Sequence, residues 1–308
     1  MTQYNFQVGR GAVTAGEVTS GEDATMIVIT GASGRIGRRT AELLGPTGQR
    51  LRLMSREPDK VPAIRNAETV YGDFADRPSL DWAFAGADTI LVISGSAPPG
   101  ERAESHRNAF EAAKRAQATH VVYLSLQGAA RDSKYPYSRD HYQSEEYLAQ
   151  SGVQFTALRN AFYMDMFLDL FDGDGVVRGP AGEGRGAFVS REDVARTAAA
   201  VVNAPPGGIH DVTGPEALIV GKVAQRLSKL TGRKLRFEDE TAEAMRRRLS
   251  ETGTPITKIE LSVGWFEAIG AGELQRPSDT VRRFTGTAPL SLEGYFSRCR
   301  SLLRTLQR

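Results

Sequence analysis

Three glycines at every third position, Gly31, Gly34 and Gly37, follow directly on the β-branched run Met26–Thr30 and open a segment with helical spacing of apolar residues. A turn of this kind can hold the phosphates of a nucleotide. Gly31 allows the sharp reversal and Gly34 lets backbone amides close on a pyrophosphate. Gly37 lets the helix pack tightly on the strand, while the helix start offers free amides and a positive partial charge. Ser33, Arg35 and Ile36 fill the same turn and complete the expected cradle.

A second group of residues would select the nucleotide. Enzymes that use NAD place a carboxylate at the end of the second strand to accept from the ribose 2′-hydroxyl. Here that strand, Leu51–Ser55, runs into Ser55-Arg56. A hydroxyl and a guanidinium suit a 2′-phosphate, with Arg35 as a second cation, so NADPH is expected over NADH. Glu57 would serve NADH if the turn were one residue longer. Asp73, followed by Phe74 in the YGDF turn, either accepts from the adenine amino group or caps the next helix. Ser94, Gly95 and Ser96 follow the fourth strand and are small enough to let the cofactor's ribose pass.

Positioning these residues takes alternating elements. Short apolar strands are expected at 26–30, 51–55, 69–71, 88–94, 120–125, 153–158 and 209–212, with helices at 35–44, 102–116, 138–150 and 192–202. The pattern predicts an α/β fold: a Rossmann-like, doubly wound parallel sheet with right-handed crossovers, followed by a smaller, mostly helical C-terminal substrate domain. The expected division is a flexible leader at 1–25, a dinucleotide-binding domain at 26–214 and the smaller domain at 215–308. The stretch 160–187 contributes to the pocket, and its Gly173–Gly186 portion has the composition of a mobile loop. In the smaller domain, helices are expected at 220–231, 242–252, 256–269 and 292–306, with one strand at 234–237. Residues 1–25 lack the charged start and apolar core of a signal peptide, and Met26 stands as an alternative start.

Composition limits the function classes. The 308 residues carry a formal net charge of only +2, so no nucleic-acid partner is expected. The C-terminal arginines, Arg276, Arg282, Arg283, Arg298, Arg300, Arg304 and Arg308, read as a solvated helix face. No apolar run is long enough to span a membrane. The lone Cys299 offers neither a disulfide nor a zinc site, which fits the cytoplasm, and the four histidines, His106, His120, His141 and His210, show no metal-ligand spacing. No metal is expected. No long heptad run announces an interface, so the oligomeric state is open, a homodimer included.

The segments TGASGRIG (30–37), YGDF (71–74), HRNAFEAAKRAQATHVVYLS (106–125) and HYQSEEYLAQSGVQFTALRNAFYMD (141–165) together resemble the NmrA-like group of atypical short-chain dehydrogenases. Within that group the likeness is greatest to the bacterial NAD(P)H:quinone oxidoreductases. It covers residues 25–213 well and the remainder loosely. The resemblance implies that NADPH lies across the C-terminal edge of the sheet and that Arg159-Asn160-Ala161-Phe162-Tyr163 lines the nicotinamide and substrate pocket. Asn160 would orient a carboxamide or carbonyl, and Phe162 and Tyr163 would stack on a flat ring. In the wider dehydrogenase family a Tyr donates a proton, a Lys four residues later activates it, and a Ser polarises the carbonyl. Tyr137 and Ser125 match the Tyr and the Ser, but His141 stands where the Lys would be. An imidazole can still hydrogen-bond a nicotinamide ribose, yet it brings less positive charge than an ammonium. Quinone reduction tolerates that loss because the ring is strongly electrophilic. The expected function is therefore NADPH-dependent hydride transfer to a small-molecule quinone or a similar electrophilic carbonyl or enone. A non-catalytic NADP(H)-binding redox sensor is the alternative, and a sugar-nucleotide epimerase or dehydratase is disfavoured by the missing Lys.

Overall fold

The structure is a computed structural model and describes residues 25–95, 97–299 and 301. Seven parallel strands form the central sheet: β1 (Met26–Ile29), β2 (Arg50–Ser55), β3 (Ala67–Tyr71), β4 (Thr89–Ile93), β5 (His120–Leu126), β6 (Gln154–Asn160) and, after two short strands elsewhere, β9 (Gly208–Val212). Their order is β3-β2-β1-β4-β5-β6-β9, so the direction of winding reverses between β1 and β4. Ligands of open α/β sheets lie at that reversal, beyond the carboxyl ends of the strands.

Both faces of the sheet are covered, which is why the strands read as nearly unbroken apolar runs. On one face Ile27, Ile29, Leu53, Leu91, Val122 and Leu158 pack under α1 (Arg35–Leu44) and α5 (Arg191–Asn203). On the other, the alternate residues Val28, Ile90, Val92, Val121, Tyr123 and Ala157 meet α2 (Arg77–Phe84), α3 (Arg102–Arg115) and α4 (Pro136–Ser151). Ser190 caps α5, its Oγ accepting from Asp193 N at 3.0 Å. The α2 cap differs. Asp76, not Asp73, stands before the helix and accepts from Ser79 N, while Asp73 Oδ1 accepts from Ala75 N at 3.0 Å and shapes the turn.

The glycine-rich stretch at 173–186 departs from the expected mobile loop. Val176 and Val177 are buried, and β7 (Val176–Gly179) pairs in parallel with β11 (Arg236–Asp239), while β8 (Arg185–Gly186) pairs antiparallel with β10 (Leu218–Ile219). Glycine serves close packing here: a Cβ on Gly184 would stand 2.2 Å from the Ile269 carbonyl oxygen, and one on Gly179 would meet the Phe266 ring at 2.4 Å. Around these ribbons lie α6 (Val220–Thr231), α7 (Ala242–Glu251), α8 (Ile256–Gly270), α9 (Thr280–Thr285) and α10 (Leu292–Arg298). Within the expected 292–306 the helix is interrupted at Cys299, and residue 300 and residues 302–308, like most of the leader, lie outside the described residues. A third core joins this part to the sheet through aromatic contacts: Phe162 stacks on Trp265 with centroids 5.0 Å apart, and Phe167 and Phe188 meet edge to face. Among the described residues no helix is long and apolar enough to cross a membrane.

Candidate cofactor and substrate site

A cavity of about 510 Å³ opens at the reversal between β1 and β4. Its floor is the glycine turn. Gly31 has φ +61°, a left-handed conformation that glycine adopts without strain, and Gly34 N donates to Gly31 O at 2.9 Å. A Cβ on Gly37 would lie 2.4 Å from that same Gly31 oxygen, so only glycine lets α1 begin this close to β1. Among the described residues no side chain caps α1, and no acidic residue occupies its first turn. The opening amides and the positive end of the helix are therefore left to an anion. Ile36 is buried beneath the turn.

At the β2 side of the turn, Ser55 is buried and its Oγ donates to Ser33 Oγ at 2.9 Å. Arg56 is exposed beside it, and Glu57, the carboxylate that would favour an unphosphorylated ribose, forms a salt bridge with Lys60. Arg35 does not join this group. Its guanidinium turns the other way and bonds Asp165 at 2.7 Å, because the Asp165 carboxylate is buried and needs charge partners; Arg191 supplies the second at 2.8 Å. Phe74 sits edge-on to His106 and against Gly95. Ser94 lines the cavity and its Oγ is buried with no partner among the described residues. Ser96 lies outside the described residues.

The opposite wall is the face of α4 that carries Tyr137, His141 and Glu145 at intervals of one helical turn. Tyr137 lines the cavity rather than an outer surface, and the Arg102 guanidinium lies 3.5 Å from its ring centroid. Ser125 is also on the wall, but its hydroxyl donates to Glu145 Oε1 at 2.5 Å. Glu145 is paired in turn with Arg159 at 2.5 Å. The one proton of Ser125 therefore faces the carboxylate rather than the cavity. His141 is buried, with Nδ1 2.6 Å from Tyr123 Oη. Burial drives the His141 imidazole well below its ordinary pKa, and the neighbouring His106, Arg102 and Arg159 push in the same direction. His141 is thus a neutral imidazole at physiological pH.

The segment after β6 supplies the remaining wall. Asn160 is buried with Oδ1 unpartnered among the described residues, Ala161 N donates to Val212 O at 2.9 Å, and Phe162 is held rigidly by its stack on Trp265. Tyr163 lies under the Arg191 guanidinium at 4.0 Å, and its phenol is raised above its ordinary pKa, mainly by burial. The structure thus adds Arg102, Arg191, Asp165, Tyr123 and His106 to the candidate site residues. His106, Tyr123 and Asp165 lie within the segments that carry the resemblance, but no spacing rule marks any of the five as part of the site. Only the period-two alternation of β5, which turns Tyr123 toward α3 and α4, hinted that a polar atom was being sent into a covered face.

Uncapped amides, a hydroxyl pair beside Arg56, and the orphaned Ser94 Oγ and Asn160 Oδ1 together fit an extended dinucleotide, with phosphates on 34–37 and a nicotinamide along 160–162. The NAD(P)H-binding family model matches residues 31–205, more than half of the chain. The chain belongs to the NAD(P)H-binding family. Quinone oxidoreductase 2 of Escherichia coli (strain K12) is 31% identical over 270 residues, which cover 85% of this chain and 94% of that protein. The crystal structure of the NADPH-dependent quinone oxidoreductase QOR2 of E. coli, complexed with NADPH, superposes with a TM-score of 0.82 at 28% identity, covering 89% of this chain and 100% of the other. The Citrobacter sp. triphenylmethane reductase complexed with NADP(H) follows at a TM-score of 0.78 and 25% identity, covering 89% and 99%. These likenesses bear out the resemblance read from the four segments and the Rossmann-like fold. As a member of this family, the protein is an NAD(P)H-dependent oxidoreductase.

Proposed function

We propose that the protein binds NADPH in preference to NADH and reduces a quinone or a similar electrophilic carbonyl or enone. One observation carries the choice of acceptor: among the described residues, no activated proton donor stands at the reacting end of the cavity, where the Tyr137 phenol lacks the usual lysine. Ser125 is bonded to Glu145, His141 is neutral and buried, and no lysine stands behind Tyr137. A simple ketone becomes a strongly basic alkoxide and needs such a donor. A quinone becomes a weakly basic phenolate, for which placement suffices. A reduced nicotinamide bound along 160–162 supplies the hydride.

This chain's own residues bind, orient and exclude water. Phe162, fixed by Trp265, and the ring of Tyr137, backed by Arg102, give the cavity flat apolar surfaces for an aromatic acceptor. A neighbouring cavity of about 370 Å³ shares Tyr135 and Met166 with the first and offers room for ring substituents. The wall at 160–187 and the residues beyond 215 would then set substrate choice. The preference for NADPH is supported by Arg56 beside Ser55 and by the engagement of Glu57 with Lys60. The test is to mix the protein with NADPH or NADH and a panel of quinones and simple ketones, following loss of the reduced-nicotinamide absorbance. Turnover of quinones but not ketones, faster with NADPH, is expected; ketone turnover at comparable rates refutes the reading.

A further inference from the structure

Behind the pocket wall runs a buried polar column made of Ser144, His106, Tyr123 and His141, none of it close to the glycine turn in sequence. Its hydrogen bonds leave few choices for the protons. Ser144 Oγ donates to the Asp140 carbonyl at 2.7 Å, so its 2.9 Å contact with His106 Nδ1 must be one in which it accepts. The Nδ1 proton therefore belongs to His106. That N–H also faces Tyr123 Oη at 3.0 Å, which leaves the phenol to donate its single proton elsewhere, and its shortest contact is with His141 Nδ1 at 2.6 Å. A neutral imidazole whose Nδ1 accepts must carry its hydrogen on Nε2. His141 lines the cavity, and Nε2 has no protein partner among the described residues.

We infer that His106 and Tyr123 lock His141 into the Nε2–H tautomer, so that an uncharged N–H is presented to the oxygen of the acceptor. The inference deepens the proposed function and rests on it for the identity of that oxygen. In the reduction the acceptor gains a hydride, the displaced electron pair settles on its oxygen as an anion, and the nicotinamide is left oxidised. The His141 N–H stabilises that anion by a hydrogen bond. It does not hand over its proton. The column ends at His106 Nε2, which is buried without a partner among the described residues, so the column itself offers no route to return a proton once given. The anion takes its proton from water. His141 is then a catalytic residue, while Tyr123 and His106 are positioning residues acting through it.

The column is also costly unless it has such a task, because His106, Tyr123 and His141 are polar groups held almost wholly out of water in an otherwise apolar layer. A leucine at position 106 and a phenylalanine at position 123 would fill the same space more cheaply if only packing mattered.

The test is a two-bond proton–nitrogen correlation spectrum of the full chain labelled with ¹⁵N-histidine, recorded at neutral pH, with His141→Gln used to assign the His141 signals. The expected pattern is a protonated Nε2 and a bare Nδ1. Tyr123→Phe removes the donor to Nδ1 and is expected to shift His141 to a mixture of tautomers and to lower kcat about tenfold, on the scale of a weakened oxyanion donor, with the KM for NADPH little changed. A His141 protonated on Nδ1 in the unmodified protein overturns the inference, as does an unchanged tautomer in Tyr123→Phe. The unmodified protein suffices for the first reading, so a Tyr123→Phe chain that fails to fold does not remove the test. Absence of quinone turnover with the Nε2–H pattern intact would count against the proposed function and leave the tautomer lock standing.

Discussion

Arg56 stands where β2 ends, next to a Ser55 hydroxyl whose proton goes to Ser33 across the glycine turn, so a phosphate on the adenosine ribose would meet a cation and the Ser33 hydroxyl at once. An unphosphorylated ribose gains nothing from the cation. Hydrogen bonds to charged groups contribute about 1.5–3 kcal/mol, roughly a 10- to 100-fold change in affinity. Arg56→Ala is therefore expected to weaken NADPH binding by about that factor and leave NADH binding nearly unchanged, as checked by fluorescence titration of the two nucleotides. Equal losses for both would mean that Arg56 supports the turn itself. Arg35 shows the contrasting outcome for the same side-chain type. Its sequence position suggested the same phosphate, yet the buried Asp165 claims it, and that carboxylate lies 130 residues away. A sequence displays the charge of a residue but not the distant partner that competes for it.

The strand-turn-helix unit formed by β1, the glycine turn and α1 is the element on which binding depends. Its geometry leaves no room at Gly37, where an added Cβ would meet the Gly31 oxygen at 2.4 Å and its carbon at 2.9 Å. Gly37→Ala must push α1 away from β1, and the amides at the start of the helix move with it. At least a tenfold loss of affinity for both nucleotides is expected by calorimetric titration, since a 1.4 kcal/mol perturbation already gives that factor. This differs from Arg56→Ala, which discriminates between the nucleotides. The unit was legible in advance because its signals are local: a β-branched run, glycines at fixed spacing, then helical periodicity. The same locality made the other sheet strands and most helices readable. The β7–β11 ribbon was not, because its partner strands are 60 residues apart and its glycines, taken as signs of a loop, are there to let Phe266 and the Ile269 backbone come close. The engagement of Ser125 was not legible for a related reason. Its fate is set by Glu145 on α4, which no spacing rule connects to the end of β5.

Across the whole molecule, the layer between the sheet and α3 and α4 keeps two imidazoles neutral, and this links folding to pH. Burial lowers the His106 pKa to about 3, and it lowers that of His141 well below its ordinary value. In the unfolded chain both would titrate near 6.5. Where the folded value is depressed, the unfolded chain binds more protons at any pH between the two values, so stability rises with pH through that window and is lost as pH falls below about 6.5. His106 alone, at 1.36 kcal/mol per pH unit, accounts for about 2 kcal/mol lost between pH 6.5 and pH 5, and His141 acts in the same direction. Denaturant unfolding should therefore show a midpoint that is flat from pH 7 to 8 and declines steadily from pH 6.5 to 5. Burial raises the Asp140 carboxyl above its ordinary pKa, which acts in the opposite direction, so substitution separates the sources. His106→Leu, which removes one imidazole and fills its apolar surroundings, should lower the slope of stability against pH in this window by about 1 kcal/mol per pH unit. An unchanged slope would mean that the imidazole at position 106 accepts a proton in the folded state, and that the layer around it admits water.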